Sequence, residues 1–292
     1  KDSDNPQLIF ESLNSTGLKL TEADKIRNFL LMGLDEVEQN DLYEKFWYPM
    51  ERNLLGPSNS SKIFDRFMKD YLTIKQTTIP ATDQVYFKFK EYDRDENISK
   101  AEYVKDLHYY SEFFEVVALE KTPDKEIKAA VSDINELRVK PTYPFLMQVL
   151  SDYKKKIISK ADVLEITDLI QSYIFRRQHT PGTETHGHDI TFSTLYNMIE
   201  KKDYVDSIKA ALLSKQGDQR FPTDTEFLDG LSLSKVYEMK SCEYLLLKLE
   251  NSIRKEGKEN MSDVTIEHIM PQEIKKIQEW KDDLGPHWEE IQ

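Results

Sequence analysis

The 292-residue chain holds a single cysteine, Cys242. A lone cysteine excludes an internal disulfide framework. Its place in the apolar stretch Cys242-Glu243-Tyr244-Leu245-Leu246-Leu247 predicts a buried structural thiol in a reducing, cytoplasmic setting. Glycine is scarce, at 9, while Leu, Glu, Lys and Ile are plentiful and interspersed, a balance that suits helices better than sheets with tight turns. No apolar run approaches the ~18 residues of a membrane span, and Lys1-Asp2-Ser3-Asp4 has nothing of a signal peptide, so no membrane association is expected. Positive charge is in deficit: Lys+Arg 40 against Asp+Glu 53 leaves −13. That excludes a chain coated with nucleic-acid-binding surface, and any DNA contact is expected to be local and weak at physiological salt. The chain also starts without Met, as if cut from something longer.

What is present is helix after helix. The expected fold is mainly α, an irregular multi-helix array without a fixed-period repeat, with a short β element near the C-terminus. Thr21-Glu22-Ala23-Asp24 starts a helix whose face carries Ile26, Phe29, Leu30 and Leu34, with Gly33 near its end. Asn40 or Asp41 can cap the next segment, which Pro49 disturbs. Ile63, Phe64, Phe67, Met68, Tyr71 and Leu72 recur at helical spacing as a core stripe. Ser99…Glu102 and Thr223…Glu226 read as capping boxes, and Thr122-Pro123 puts Pro at a first helical position. Helices are predicted over 143–156, 159–177, 191–200, 203–216 and 241–256, with Gly217 at the C′ position of the fourth. After Gly257 the β-branched run Val264-Thr265-Ile266 predicts a strand, which places a domain boundary near residue 257.

Several clusters could carry chemistry. Asn14-Ser15-Thr16-Gly17 is a turn whose backbone N–H groups could also face a phosphate. Arg176-Arg177 closes a helix, where the dipole favours them; the sharper reading is a phosphate contact. The polar stretch 179–189 holds His179, His186 and His188, but lacks the cysteines or carboxylates of a tetrahedral site and reads best as a solvated loop. Lys154-Lys155-Lys156 reads as a solvated helix end. Glu267-His268, at the end of the predicted strand, is the most suggestive pair. An acid there can hold a divalent ion against a phosphate oxygen while an imidazole of near-neutral pKa takes a proton from attacking water. The plain alternative is a hydrogen-bonded structural pair.

Asn14-Ser15-Thr16-Gly17-Leu18-Lys19-Leu20-Thr21-Glu22-Ala23-Asp24, then Ser172-Tyr173-Ile174-Phe175-Arg176-Arg177, Phe221-Pro222-Thr223-Asp224-Thr225-Glu226-Phe227, and Thr265-Ile266-Glu267-His268-Ile269-Met270-Pro271-Gln272 with Glu279-Trp280-Lys281 and Leu284-Gly285, resemble landmarks of the GmrSD-type restriction endonucleases, in the same order. That family joins a ParB-like nucleotide-hydrolysing domain, through a helical middle, to an HNH-type nuclease, and restricts modified foreign DNA such as phage DNA. The resemblance implies His268 as general base, Glu267 as metal ligand, and Phe10 and Asn14 at the nucleotide site. It also implies DNA and a nucleoside triphosphate as partners of the intact protein and Mg²⁺ or Mn²⁺ as its metal. Two motifs depart from the pattern. The signature Asp-Gly-Gln-Gln-Arg is absent, Gly217-Asp218-Gln219-Arg220 only mimicking it, and so is the Gly-Asn-Leu remainder of the nuclease motif. The expected layout is therefore the tail of a nucleotide domain at 1–34, a helical connector at 35–257 and an incomplete nuclease domain at 258–292. Such a fragment is expected to hold no cofactor and to be inactive by itself. The competing expectation is a non-enzymatic acidic helical adaptor in which Glu267-His268 is structural.

Overall fold

A computed structural model describes residues 20–55, 61–96, 98–183, 187–254 and 277–287. Phe10, Asn14, His186, Glu267, His268 and the strand expected at 264–266 lie outside those residues. The described chain is helical, with no strand among the described residues, and it divides into a unit ending at Val236 and another starting at Tyr237.

Side-chain caps fix where the helices of the first unit begin. Thr21, Ser99, Ser159 and Thr223 each form a reciprocal capping box, starting α1 (Glu22–Leu31), α6 (Lys100–Leu119), α9 (Lys160–Gln178) and α12 (Asp224–Ser232). Each box satisfies backbone donors that a helix start otherwise leaves open. Between α1 and α6 run α2 (Glu36–Leu42), α3 (Tyr48–Leu55), α4 (Ser61–Gln76) and α5 (Val85–Glu96). Between α6 and α12 lie, besides α9, α7 (Lys125–Glu136), α8 (Tyr143–Lys154), α10 (His188–Thr194) and α11 (Tyr204–Leu213).

Three expectations differ in detail, and a fourth takes a specific form. The second helix starts at Glu36, capped by Asp35, whose carboxylate accepts from Val37 N and Glu38 N; the cap is an acid upstream of Asn40. Pro49 does not end that helix. It has no N–H to donate, and the chain takes a π-helical path over Tyr43–Trp47 immediately before it. Asp124 caps α7 and accepts from Glu126 N and Ile127 N, so Pro123 lies before the cap. α11 ends at Leu213, and Gly217, at φ +63°, opens a short 3₁₀ turn, Gly217–Gln219.

The core is aromatic. Phe67 of the expected stripe is wholly buried, with ring centroids 6.2 Å from Phe64 and 5.3 Å from Phe114, while Tyr71 meets Phe89, which meets Tyr103. These rings join α4, α5 and α6, with α8 packed against both α4 and α6. α7, α9 and α11 continue the array. Two buried carboxylates fasten it. Asp152, at the end of α8, accepts from Tyr196 Oη at 2.8 Å and Tyr204 Oη at 2.9 Å. Burial and that carboxylate push both phenols above their ordinary range.

Asp70 on α4 receives Arg66 Nε at 2.7 Å, and Arg66 reaches on to the carbonyl of Lys140. Burial pushes Asp70 up to about 6 against the opposing pull of Arg66. The folded state therefore holds a proton here more tightly than the unfolded chain, and this carboxyl's contribution to stability falls as pH rises through 4 to about 6. Wild type is expected to gain stability relative to Asp70→Asn as pH falls from about 7 to about 5, read by urea unfolding of both proteins. A pH-independent difference would show that Asp70 titrates as an ordinary carboxylate.

In the second unit, α13 (Cys242–Ile253) buries Cys242, Tyr244 and Leu245, and α14 (Gln278–Leu284) follows. The buried thiol agrees with the reading of Cys242 as structural. Burial and Glu243 raise its pKa, so it is a poor nucleophile.

Candidate functional site: an arginine seam between two landmark segments

The end of α9, Ser172–Arg177, and the run Phe221–Phe227 lie far apart in sequence, and the fold sets them against each other. α9 is long enough to carry consecutive residues to different surroundings. Tyr173 and Arg177, four apart, share one face, while Phe175 and Arg176 meet α12.

Arg177 is wholly buried. Its Nε donates to the carbonyl of Thr183 at 3.1 Å, Nη2 to that of Asp218 at 3.0 Å, and Nη1 to Tyr173 Oη at 3.3 Å and His188 Nδ1 at 3.1 Å. The guanidinium also sits over the Tyr173 ring, and Tyr173 Oη donates to the carbonyl of Gln219 at 2.7 Å. One cation thus binds the 180s loop, the first residue of α10 and the turn before Phe221. A guanidinium can do this because its donors diverge in a plane and it stays charged in a dry site.

His188 is correspondingly no loop residue. It begins α10 and is 3 % exposed, stacked on Phe192. The expectation of a solvated 179–189 loop gives way here: Thr180, Thr183 and His188 are buried because the buried cation needs polar neighbours. Arg177 can only donate, so Nδ1 accepts and the imidazole proton resides on Nε2, an atom without a hydrogen-bond partner among the described residues. Burial, then the nearby guanidinium, press His188 down to about 4 from 6.5. The neutral ring's contribution is complete above about 6.5 and is lost as pH falls toward 4. His179 is also lowered by burial, with its ring 4.7 Å from Phe175.

Arg176 turns toward α12. Its Nη2 pairs with Asp224 Oδ1 at 2.6 Å, Nη1 donates to the carbonyl of Pro222 at 3.3 Å, and the guanidinium lies 5.3 Å from the Phe227 ring centre. Phe175 packs on the same ring at 5.6 Å. α12 comes so close that a Cβ on Gly230 would stand 1.9 Å from the carbonyl oxygen of His179. At the cap, Glu226 accepts from Arg220 at 2.6 Å and from Thr223 N at 2.9 Å. Arg220 first, then Thr223, hold its carboxyl down to about 2.

Of the residues expected to carry chemistry, Arg176 and Arg177 are the pair that the described structure places. Arg177 is interior, whereas Arg176 keeps some surface and would have to exchange Asp224 for a phosphate. Sequence reasoning had no view of Tyr173, Thr183, His188 and Asp218 as one cluster. The available signal was that Ser172–Arg177 and Phe221–Phe227 were both singled out. Among the described residues, no group of His, Cys, Asp and Glu is placed to hold a metal ion, and the metal expectation rests on Glu267, outside those residues.

Residues 221–291 match the family model described as GmrSD restriction endonucleases, C-terminal domain. This segment is similar to the C-terminal domain of the GmrSD restriction endonucleases. The match begins at Phe221, the aromatic residue that meets Tyr173 at 5.4 Å, and spans α12, α13 and α14. No curated protein and no solved structure matches the chain. The matched segment thus starts in the first unit, upstream of the change in sequence character at residue 257. It contains Glu267 and His268, while Phe10 and Asn14 lie outside it.

Proposed function

We propose that the chain is the helical core and part of the C-terminal domain of a modification-dependent DNA restriction endonuclease, in which a nucleoside triphosphate gates metal-dependent phosphodiester cleavage of foreign DNA. The observation that supports this most is the match of residues 221–291 to the GmrSD C-terminal domain. In this reading residues 1–34 finish a nucleotide domain that uses Phe10 and Asn14, residues 35–257 connect, and residues 258–292 open the HNH-type domain.

The donor set suits the chemistry. A carboxylate is a hard oxygen ligand for Mg²⁺ or Mn²⁺, so Glu267 would hold the ion, and the imidazole of His268 would take the proton of the attacking water. The bound ion would supply positive charge against the phosphate oxygens. Gating has a physical candidate in the seam. Arg176, Phe175 and Gly230 fasten the first helix of the GmrSD-type segment to α9, so a change in the connector would be felt at the start of that segment. No helix of the described structure is long and apolar enough to cross a membrane.

The test is nicking and linearisation of modified and unmodified plasmid by the intact protein, with Mg²⁺ or Mn²⁺ and with or without nucleoside triphosphates. Cleavage that needs the metal and responds to nucleotide supports the proposal. No cleavage of any DNA under any of these conditions would favour the acidic adaptor.

A further inference from the structure

The body of α1 is built into the helical core. Ile26 and Leu30 are wholly buried, and the Phe29 ring lies 6.2 Å from Tyr86 and 6.3 Å from Phe89 of α5. Its first turn is held in another way, by carboxylates that cross between helices. Asp65 of α4 accepts from Ala23 N at 2.8 Å, and Glu22, itself 7 % exposed, accepts from Tyr86 N at 2.7 Å. The helices thus exchange caps. α4 supplies an acceptor to the start of α1, and α1 supplies one to the start of α5, where backbone N–H groups lack partners within the helix.

Asp65 is the exposed point of this exchange in energetic terms. Lys25 pairs with Glu22 at 2.6 Å and Arg27 with Asp24 at 3.3 Å, whereas Asp65 pairs with no cation among the described residues. Burial raises its carboxyl, the Ala23 N–H opposes that, and Glu22 and Asp24 add to the rise. The carboxylate is therefore held by the backbone of a formed first turn. If that turn is undone, Asp65 becomes a half-buried anion without its donor, and Glu22 is drawn from Tyr86 N, so the two caps form and fail together.

Position gives that cooperativity a use. The turn follows directly on the landmark run that starts at Asn14. On its other side Arg66, next to Asp65, donates to the carbonyl of Lys140 at 2.9 Å, just ahead of α8, and α8 packs on α9, whose end carries the arginine seam. We propose that the first turn of α1 is the switch of the nucleotide gate and that Asp65 is its positioning residue, coupling the residues upstream of α1 to the connector. This switch rests on the reading above that a nucleotide bound through Phe10 and Asn14 gates cleavage. Asp65 touches neither nucleotide nor DNA; it sets which arrangement of α1 against α4 and α5 the connector adopts.

The experiment is metal-dependent plasmid cleavage by the intact protein, with and without nucleoside triphosphate, on wild type, Asp65→Ala and Asp65→Asn, with thermal unfolding as the folding control. Asp65→Ala is expected to shrink the ratio of rates with and without nucleotide by about fivefold or more, within the ordinary range of coupling between sites. The nucleotide concentration giving half the effect should stay unchanged. Asp65→Asn should recover most of the ratio, because its carboxamide oxygen can accept from Ala23 N. A merely structural role lowers both rates alike and leaves their ratio alone, and that result in a folded Asp65→Ala protein overturns the switch while the gate stands. A shifted half-effect concentration with an unchanged ratio also overturns it, since Asp65 would then act on binding. Wild-type cleavage indifferent to nucleotide removes the gate, and the switch with it. Asp65→Ser, whose hydroxyl lies one bond short of the carboxylate oxygen, replaces Asp65→Ala should that protein fail to fold.

Discussion

Arg177→Met is expected to destabilise the first unit by about 3–5 kcal/mol, since several buried acceptors lose a charged donor at once. Methionine fills much of the volume, so packing is not the main loss. The carbonyls of Thr183 and Asp218, and His188 Nδ1, each lose a described donor, and a buried acceptor without a donor costs about 1–3 kcal/mol. Arg177→Lys keeps the charge but not the planar fork, and is expected to recover only part of the loss. Thermal and urea unfolding measure both. The loss should also be local: amide exchange should quicken in 180–183 and 187–194 while α4 and α6 stay protected. A change below about 1 kcal/mol in Arg177→Met would remove the arginine from the centre of the seam.

Gly230→Ala should be the second large effect, although alanine is the better helix former by about 1 kcal/mol. At this position the added Cβ would lie 1.9 Å from a backbone oxygen and 3.1 Å from Pro181 Cδ. Backbone cannot rotate away as a side-chain tip can, so α12 must lift from the 179–181 segment, and overpacking of this kind costs about 1–3 kcal/mol or more. The expected result is lower thermal stability with faster amide exchange over 224–232. Gly182→Ala is the matched control, since its added Cβ meets nothing within 4 Å and its φ of +76° makes the strain purely conformational. Gly230→Ala no worse than the control would contradict the close packing. Under the proposed nucleotide gating, the same substitution in the intact protein should weaken the nucleotide dependence of cleavage, because it loosens the start of the segment that matches the GmrSD C-terminal domain.

What could be read from the sequence follows the range of the interactions. Thr21, Ser99 and Thr223 announced their helices because a capping box closes within four residues, and the stripe from Phe64 to Leu72 announced the core because helical spacing is local. Asp35 was overlooked in a polar stretch with no apolar stripe behind it. Pro49 was rightly seen as a disturbance, but whether a helix breaks or widens at a proline depends on neighbouring packing. The 179–189 segment misled through composition: histidines and threonines that read as solvated are buried around Arg177, a residue far enough inside to need them. The seam itself lies beyond sequence reasoning. Ser172–Arg177 and Phe221–Phe227 stood out separately, but their contact spans more than forty residues of chain. The reading of Glu267-His268 came from resemblance rather than from spacing, and the match over 221–291 covers both residues.

The most direct measurement is plasmid cleavage by the intact protein and its His268→Ala variant, with Mg²⁺ and with Mn²⁺, both proteins matched in thermal stability. If His268 is the general base, the variant should lose about 10²–10⁴-fold in rate, the range for loss of a positioned proton acceptor, while still binding DNA. Cleavage by His268→Ala at the wild-type rate would contradict the account and leave Glu267-His268 as a structural pair.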